Sequence, residues 1–345
     1  MKRNLSYFIS LIPGIITVGG NLAGGNWVYA NLIFTLGLLP IAEWFVTENK
    51  TNKAEEDSVL PDLVLVLHFF LQIFALGSLF YSFSQGKIVG FQIIGAAVST
   101  GIHTGTSSIV VAHEMIHRKG AIWQFAGKFL LFTAGNIYFF IEHLKVHHKW
   151  VGTAKDPASA HRGESVYGFF VRSIVGQLSQ SWKIEAERMR EEGRSVFHLS
   201  NYVFRSSLFQ LILWAILFYY FGTMGLLIFL HQIFVANFLL EYTNYIEHYG
   251  LSRSENERVR EHHSWQTDKV ISRILLIELS RHSDHHYFAS KPYHTLISYE
   301  KSPVLPGGYA SAFYLAIIPP IWFKIVDKTL DNYLKIYGQN TTLVK

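Results

Sequence analysis

The feature that most restricts how this chain can fold is a series of uninterrupted apolar runs. Residues 5–22, 27–46, 62–82 and 88–112 each approach the roughly 20 residues that a helix needs to cross the hydrocarbon of a bilayer. A fifth run, Leu208 to Leu240, is too long for one ordinary crossing, and the stretch FGTMG at 221–225 offers a place to turn, which divides it into 207–221 and 223–242. Inside lipid every backbone N–H and C=O must be satisfied within its own segment, so such runs read as helices. The expected fold class is therefore all-α: a polytopic integral membrane protein of six transmembrane helices, one catalytic domain over 1–345, with a histidine-rich region on the cytoplasmic side. Composition agrees, because only 16% of the residues are charged against about 25% in soluble domains. The opening MKRN and the apolar run behind it read as a first membrane helix and not as a cleavable signal, since a second span follows directly.

Charge sets the expected orientation. With the N-terminus inside, four spans return the chain to the cytoplasm, and the ten Lys and Arg between His143 and Arg205 then lie inside, as the positive-inside rule requires. The hairpin over 207–242 brings the remainder back to the same side, so 142–206 and 243–345 are the expected cytoplasmic regions. The acidic stretch 48–61 is neutral on the matter. Residues 121–141 are long enough to cross, but crossing would separate His113 and His117 from His143 and His147, so an interfacial or re-entrant helix is expected there. The stretch Tyr309 to Ile325, with its PP and terminal KIVDK, suggests another interfacial helix.

The absence of cysteine excludes disulfides, thiolate catalysis and any internal iron–sulfur or rubredoxin-type centre. Nucleic acid is a poor partner, because the net charge of +5 is not gathered into a basic domain. What stands out is histidine. His113 and His117 in HEMIH lie four apart, on one face of a helix. EHLKVHH supplies His143, His147 and His148, where the spacing of four recurs. NYIEHYG supplies His248, and HSDHH supplies His282, His285 and His286. HExxH alone suggests a zinc hydrolase, but a zinc ion takes three or four protein ligands, and nine histidines suit two metals with four or five ligands each. Imidazole-rich sites favour iron, zinc or copper, and spacing does not choose among them. Glu114, Glu142, Glu247 and Asp284 sit beside these histidines as candidate acceptors for imidazole N–H groups, with Glu142 and Glu247 also open as direct ligands. His68, His103 and His231 fall inside expected spans, where helix–helix hydrogen bonds are the simpler role. His262 and His263 are kept outside the metal set, as supports of the site or of a docked partner.

Taken together, HEMIHRK, EHLKVHH, DPASAHRGES, NYIEHYGL, HHSWQTD and LSRHSDHH resemble the membrane-bound non-haem di-iron alkane 1-monooxygenases, within the fatty acid desaturase and hydroxylase superfamily. The resemblance covers most of residues 30–325, and NYIEHYG is its most specific element. It implies two iron ions on His113, His117, His143, His147, His148, His248, His282, His285 and His286. It also implies O2 as co-substrate, electrons from a separate rubredoxin served by a reductase, and insertion of oxygen at the terminal carbon of n-alkanes drawn from lipid in a bacterial inner membrane. An acidic rubredoxin would meet Lys145, Lys149, Arg258, Arg260 or Lys291. Thr35 corresponds to a position where the family often carries a bulky residue that limits chain length; it either lines the substrate tunnel or only packs against a neighbouring helix. Val146 and Ser280 depart from a common glycine and a common glutamine, without removing a ligand. They leave open an aromatic-methyl hydroxylase, a fatty-acyl hydroxylase or a desaturase. A metal transporter is the rival from another class, and it would place its ligands along a path through the membrane.

Overall fold

The computed structural model describes residues 2–52 and 59–337; positions 53–58 of the acidic 48–61 stretch and 338–345 of the C-terminal region lie outside them. Among the described residues the fold is helical, with two isolated bridges and no strand. Helix α1 (Arg3–Ala23), α2 (Gly25–Phe45), α3 (Leu60–Ser84) and α8 (Tyr202–His248) are long and apolar enough to cross a membrane. Helix α4 runs from Phe91–His103 through a π-helical turn, Thr104–Ser108, into Ile109–His117. It is less apolar than the other four, and the reason is its position. Most of its residues are buried against protein, so it has little need to be soluble in lipid.

Small and polar residues hold the bundle together, as expected where no hydrophobic drive separates helix from lipid. Gly101 and Gly105 of α4 let α8 approach so closely that added Cβ atoms would stand 2.8 and 2.9 Å from the carbonyl oxygens of Gln232 and Ala236. Beside this crossing, Gln72 of α3 bonds Thr104 and Thr133 at 3.2 Å each, and Gln232 of α8 bonds Thr104 at 3.1 Å. The expected helix–helix role of His68 is met by Ser10, 2.8 Å from its Nε2.

Helix α8 folds back on itself at Gly222, whose φ of 65° and ψ of −170° belong to a region essentially confined to glycine. The Leu217 carbonyl lies 3.8 Å from where a Cβ on Gly225 would stand, an approach that a straight helix rising about 1.5 Å per residue forbids. Both ends of α8 accordingly reach one pole of the molecule: Tyr202 packs 5.3 Å from the ring of Phe140, and His248 ends the helix. Helix α5 (Ala121–Thr133) runs inward from that pole, turns near Gly135, and α6 returns outward through Phe139–Glu142, a π-helical turn at His143–His147, and His148–Trp150. The chain thus leaves His117 and comes back to it, with Nε2 of His143 3.0 Å from Nε2 of His117. The N-terminus is at this pole too, with Arg3 3.1 Å from Glu278.

The pole is completed by α7 (Val166–Glu191), α9 (Val270–Leu275), α10 (His282–Tyr287), α11 (Tyr309–Ala316) and α12 (Pro319–Tyr337). The last two are bent by 117° against each other, so the expected single helix over Tyr309–Ile325 is two, broken where Pro319 and Pro320 remove backbone donors.

Candidate metal centre

Helix α4 ends in ordinary α geometry, so His113 and His117 project from one face, as their spacing of four predicts. Helix α6 behaves differently. In an α-helix a residue five positions on lies about 140° around the barrel, but the π turn at His143–His147 closes on the fifth residue. It is therefore His148 that joins His143, while His147 is turned to another neighbourhood. Spacing alone pairs His143 with His147; the structure pairs it with His148. On α10, His282 and His286 point together and His285 points away.

The nine histidines divide without remainder. His113, His117, His143, His148 and His285 form one group, and His147, His248, His282 and His286 form another, each with its ligand nitrogens within 4.8 Å of one another. All are buried except His117 and His148, which are half-buried. Three Nε2 atoms make a triangle, with His143 and His117 at 3.0 Å, His148 and His117 at 3.1 Å, and His148 and His143 at 3.0 Å. His285 and His148 stand at 3.1 Å, and in the second group His282 and His248 at 3.2 Å. Neutral imidazole carries one proton, so a closed triangle of facing Nε2 atoms is a poor hydrogen-bond network. It is a good face of a coordination polyhedron. Donors about 2.1 Å from a metal are separated by about 3.0 Å at right angles and about 3.4 Å at the tetrahedral angle. The observed spacings fit the five- or six-coordinate range better than a tetrahedral site.

Electrostatics agrees with that arrangement. Burial, reinforced by neighbouring imidazoles, pushes His143, His148, His282, His285 and His286 well below the ordinary histidine range, so the rings are neutral and their lone pairs free to bind. His147 is held by a residue that sequence reasoning missed. Its Nδ1 is 2.9 Å from Asp156, which fixes the proton on Nδ1 and leaves Nε2 directed at the group. Asp156 is itself locked by Ser159 Oγ at 2.6 Å and the Ala158 N–H at 3.0 Å. Asp156 opens the motif DPASAHRGES, nine residues beyond His147, but nothing in that motif assigned it to a histidine.

The four expected acceptors fare unequally. Glu247 places Oε2 3.1 Å from His282 Nε2 and accepts from Tyr309 at 2.7 Å. Glu142 is buried with both oxygens unpartnered, and burial, then Asp156 and Glu241, push its carboxyl well above the usual range. Glu114 instead pairs with Arg118 at 3.1 Å. Asp284 takes Lys291 at 2.6 Å, Tyr299 at 2.9 Å and the Ile297 N–H at 2.8 Å, a set that braces α10 from behind. Lys291 is thereby tied down and is not an open docking charge.

Glu257, His262 and His263 form a third cluster, but the tautomer argues against a metal. His263 Nδ1 accepts from the Arg260 N–H at 3.0 Å, so in the neutral ring the proton is on Nε2, the nitrogen facing Glu257 at 3.4 Å.

An apolar cavity reaches from Thr35, Leu36 and Phe313 to Val110, one turn before His113, and to Tyr309, which bonds Glu247. Thr35 thus lines a cavity, with its hydroxyl turned to Asn31 at 2.8 Å. On the solvent side a groove of mixed charge, lined by Lys149, Trp150, Glu255, Glu257, Arg258 and Tyr287, reaches His286.

Comparison with known proteins finds the fatty acid desaturase family model matching residues 89–309. The chain is 36% identical to alkane 1-monooxygenase 1 of Pseudomonas aeruginosa, over 89% of this chain and 84% of that protein. It is 34% identical to alkane 1-monooxygenase 1 of Alcanivorax borkumensis, over 94% and 83%. Against the xylene/toluene monooxygenase hydroxylase component of Pseudomonas putida it is 28% identical, over 92% and 87%.

Proposed function

The chain belongs to the fatty acid desaturase family and, within it, to the alkane 1-monooxygenases, and from that premise we propose that it hydroxylates the terminal carbon of medium- to long-chain n-alkanes. The overall change is RH + O2 + 2e⁻ + 2H⁺ → ROH + H2O. The observation that carries this reading is the partition of nine histidines into groups of five and four, with an apolar cavity whose wall includes Val110, one turn before His113. Two iron ions would be held there, one by His113, His117, His143, His148 and His285, the other by His147, His248, His282 and His286. When bound, the iron pair supplies the activation of O2 that no side chain can perform. The residues do the rest. Asp156 holds the His147 proton on Nδ1, neutral rings keep the lone pairs available, and the cavity wall selects the substrate by shape, since a terminal methyl offers no polar handle.

Six spans follow from the same reading: α1, α2, α3, α4 and the two arms of α8, with α5 and α6 re-entrant and α11 and α12 at the interface. The histidines would then face the cytoplasm of a bacterial inner membrane, where Lys145 and Lys149 accompany them. Residues 1–345 hold no cysteine for an iron–sulfur site, so electrons would be delivered to them from a rubredoxin. An acidic rubredoxin would meet Lys149 and Arg258 near His286, in a groove where Glu255 is already paired with Lys155, and that contact should weaken with salt. The transporter alternative fits poorly, because the ligands gather at helix ends on one pole instead of lining a path.

The test is metal analysis of purified protein followed by turnover with dodecane, O2 and reduced rubredoxin. About two irons per chain and 1-dodecanol are expected. Zinc in fully active protein, an internal alkene as product, or turnover confined to aromatic methyl groups would each overturn the proposal.

A further inference from the structure

Tyr309 is the one cavity-lining residue bonded to a carboxylate that faces the histidines. Its backbone is pinned on both sides. The N–H donates to Ser272 Oγ at 2.8 Å, and the carbonyl accepts from the Tyr242 hydroxyl at 2.5 Å. Ser272 is secured in turn by the buried carboxylate of Glu43. With the main chain held in this way, the phenol donates to Glu247 Oε1 at 2.7 Å. That bond sets the rotation of the Glu247 carboxylate. Its other oxygen then lies 3.1 Å from His282 Nε2, the same nitrogen that faces His248 Nε2 at 3.2 Å. The four-histidine group has one imidazole fewer than its neighbour, and this oxygen stands beside one of its donor atoms, His282 Nε2.

We infer that Tyr309 is a positioning residue: it aims Glu247 at the four-histidine group, and it does so from the wall of the substrate cavity, so that cavity and metal group are joined through one side chain. The inference rests on the reading that the two groups hold metals. A chain entering the cavity packs against the Tyr309 ring; because the backbone is fixed, displacement of that ring passes to the hydroxyl and to the carboxylate it holds. Tyr309→Phe keeps the ring in the wall and removes only the hydroxyl.

Titrating metal-free protein with cobalt(II) reads this directly through visible absorption. In the wild type two equivalents should bind, and dodecane should shift the spectrum of one of them. In Tyr309→Phe one equivalent should bind as before, while the other weakens about tenfold, the lower end of what losing an outer partner costs a metal site. Its spectrum should change and no longer respond to dodecane. Glu247→Gln, which leaves the cavity wall intact, should reproduce the weakening, and the double variant should be no worse than either single one. Wild-type affinities with an unaltered dodecane response in Tyr309→Phe would overturn the inference while leaving the metal reading in place, as would an unchanged titration of Glu247→Gln. Failure of the wild type to take up two equivalents would overturn both.

Discussion

Asp156 shows how much at this site is decided by a single hydrogen bond. A ligand histidine must carry its proton on the nitrogen remote from the metal, and His147 obtains this from a carboxylate 2.9 Å away. Asp156→Ala should therefore weaken metal uptake by about 10–100-fold, with Asp156→Asn recovering part of it, because an amide oxygen still accepts from Nδ1. Metal content after dialysis checks this, and undiminished occupancy in Asp156→Ala would refute it. His263 illustrates the converse, with a backbone N–H on Nδ1 that spoils the ring as a ligand. Both outcomes hinge on neighbours in folded space, which is why the nine histidines were readable in the sequence while Asp156 was not. Thr35 was readable as a tunnel candidate, and its side chain lines the apolar cavity that we propose takes the substrate chain. Thr35→Trp should shorten the usable chain. Losing the burial of two methylenes, about 1.6 kcal/mol, already exceeds a tenfold loss in kcat/KM, so activity on C16 should fall at least tenfold relative to C8. Equal losses on C8, C12 and C16 would point to a general defect instead.

At the scale of elements, the π turn in α6 carries the most consequence. Reading His143, His147 and His148 on a uniform 3.6-residue helix assigns the wrong pair to one group, since five residues cover about 500° there. The extra residue accommodated by the π turn rephases the helix, so that His143 and His148 serve one group and His147 the other. Deleting Val146 should return this stretch to α geometry while placing His148 four residues after His143, about 400° on and so still on its face, with His147 three residues after it and about 60° to the other side. We expect such a variant to keep its helical circular dichroism and to bind two metal ions per chain; loss of a metal ion would show that the widened turn itself is needed, beyond the phase it sets. The helical elements themselves were largely legible. Apolar runs marked α1, α2 and α3, and FGTMG marked the fold-back in α8, where Gly222 alone tolerates the backbone angles. Less legible was α4, whose burial among helices relaxes its need for apolar residues, and the break between α11 and α12.

Across the whole molecule, four distant segments deliver uncharged imidazoles to one buried pole, and that has an acid limit. His143, His148, His282, His285 and His286 all titrate well below the ordinary histidine range because of burial, with neighbouring imidazoles adding to it, and burial brings His263 down to about 3. In the unfolded chain the same groups protonate near 6.5. Below that pH the unfolded state binds more protons than the folded one, so stability is complete above about pH 6.5 and falls as pH drops toward the depressed folded values. Each histidine that stays neutral in the fold contributes a slope of about 1.4 kcal/mol per pH unit. The unfolding temperature of metal-free protein in detergent should thus be level between pH 8 and 7 and fall steeply between 6.5 and 5. His263→Gln, whose amide oxygen can replace Nδ1 as acceptor for the Arg260 N–H, should make the fall shallower by one proton. Metal binding to rings that are already neutral should release almost no protons at pH 7, which calorimetry in buffers of different ionisation enthalpy measures. Release of several protons per metal, or a rise in stability on acidification, would mean that the rings are charged before the metal arrives and that the pole is not preorganised to receive it.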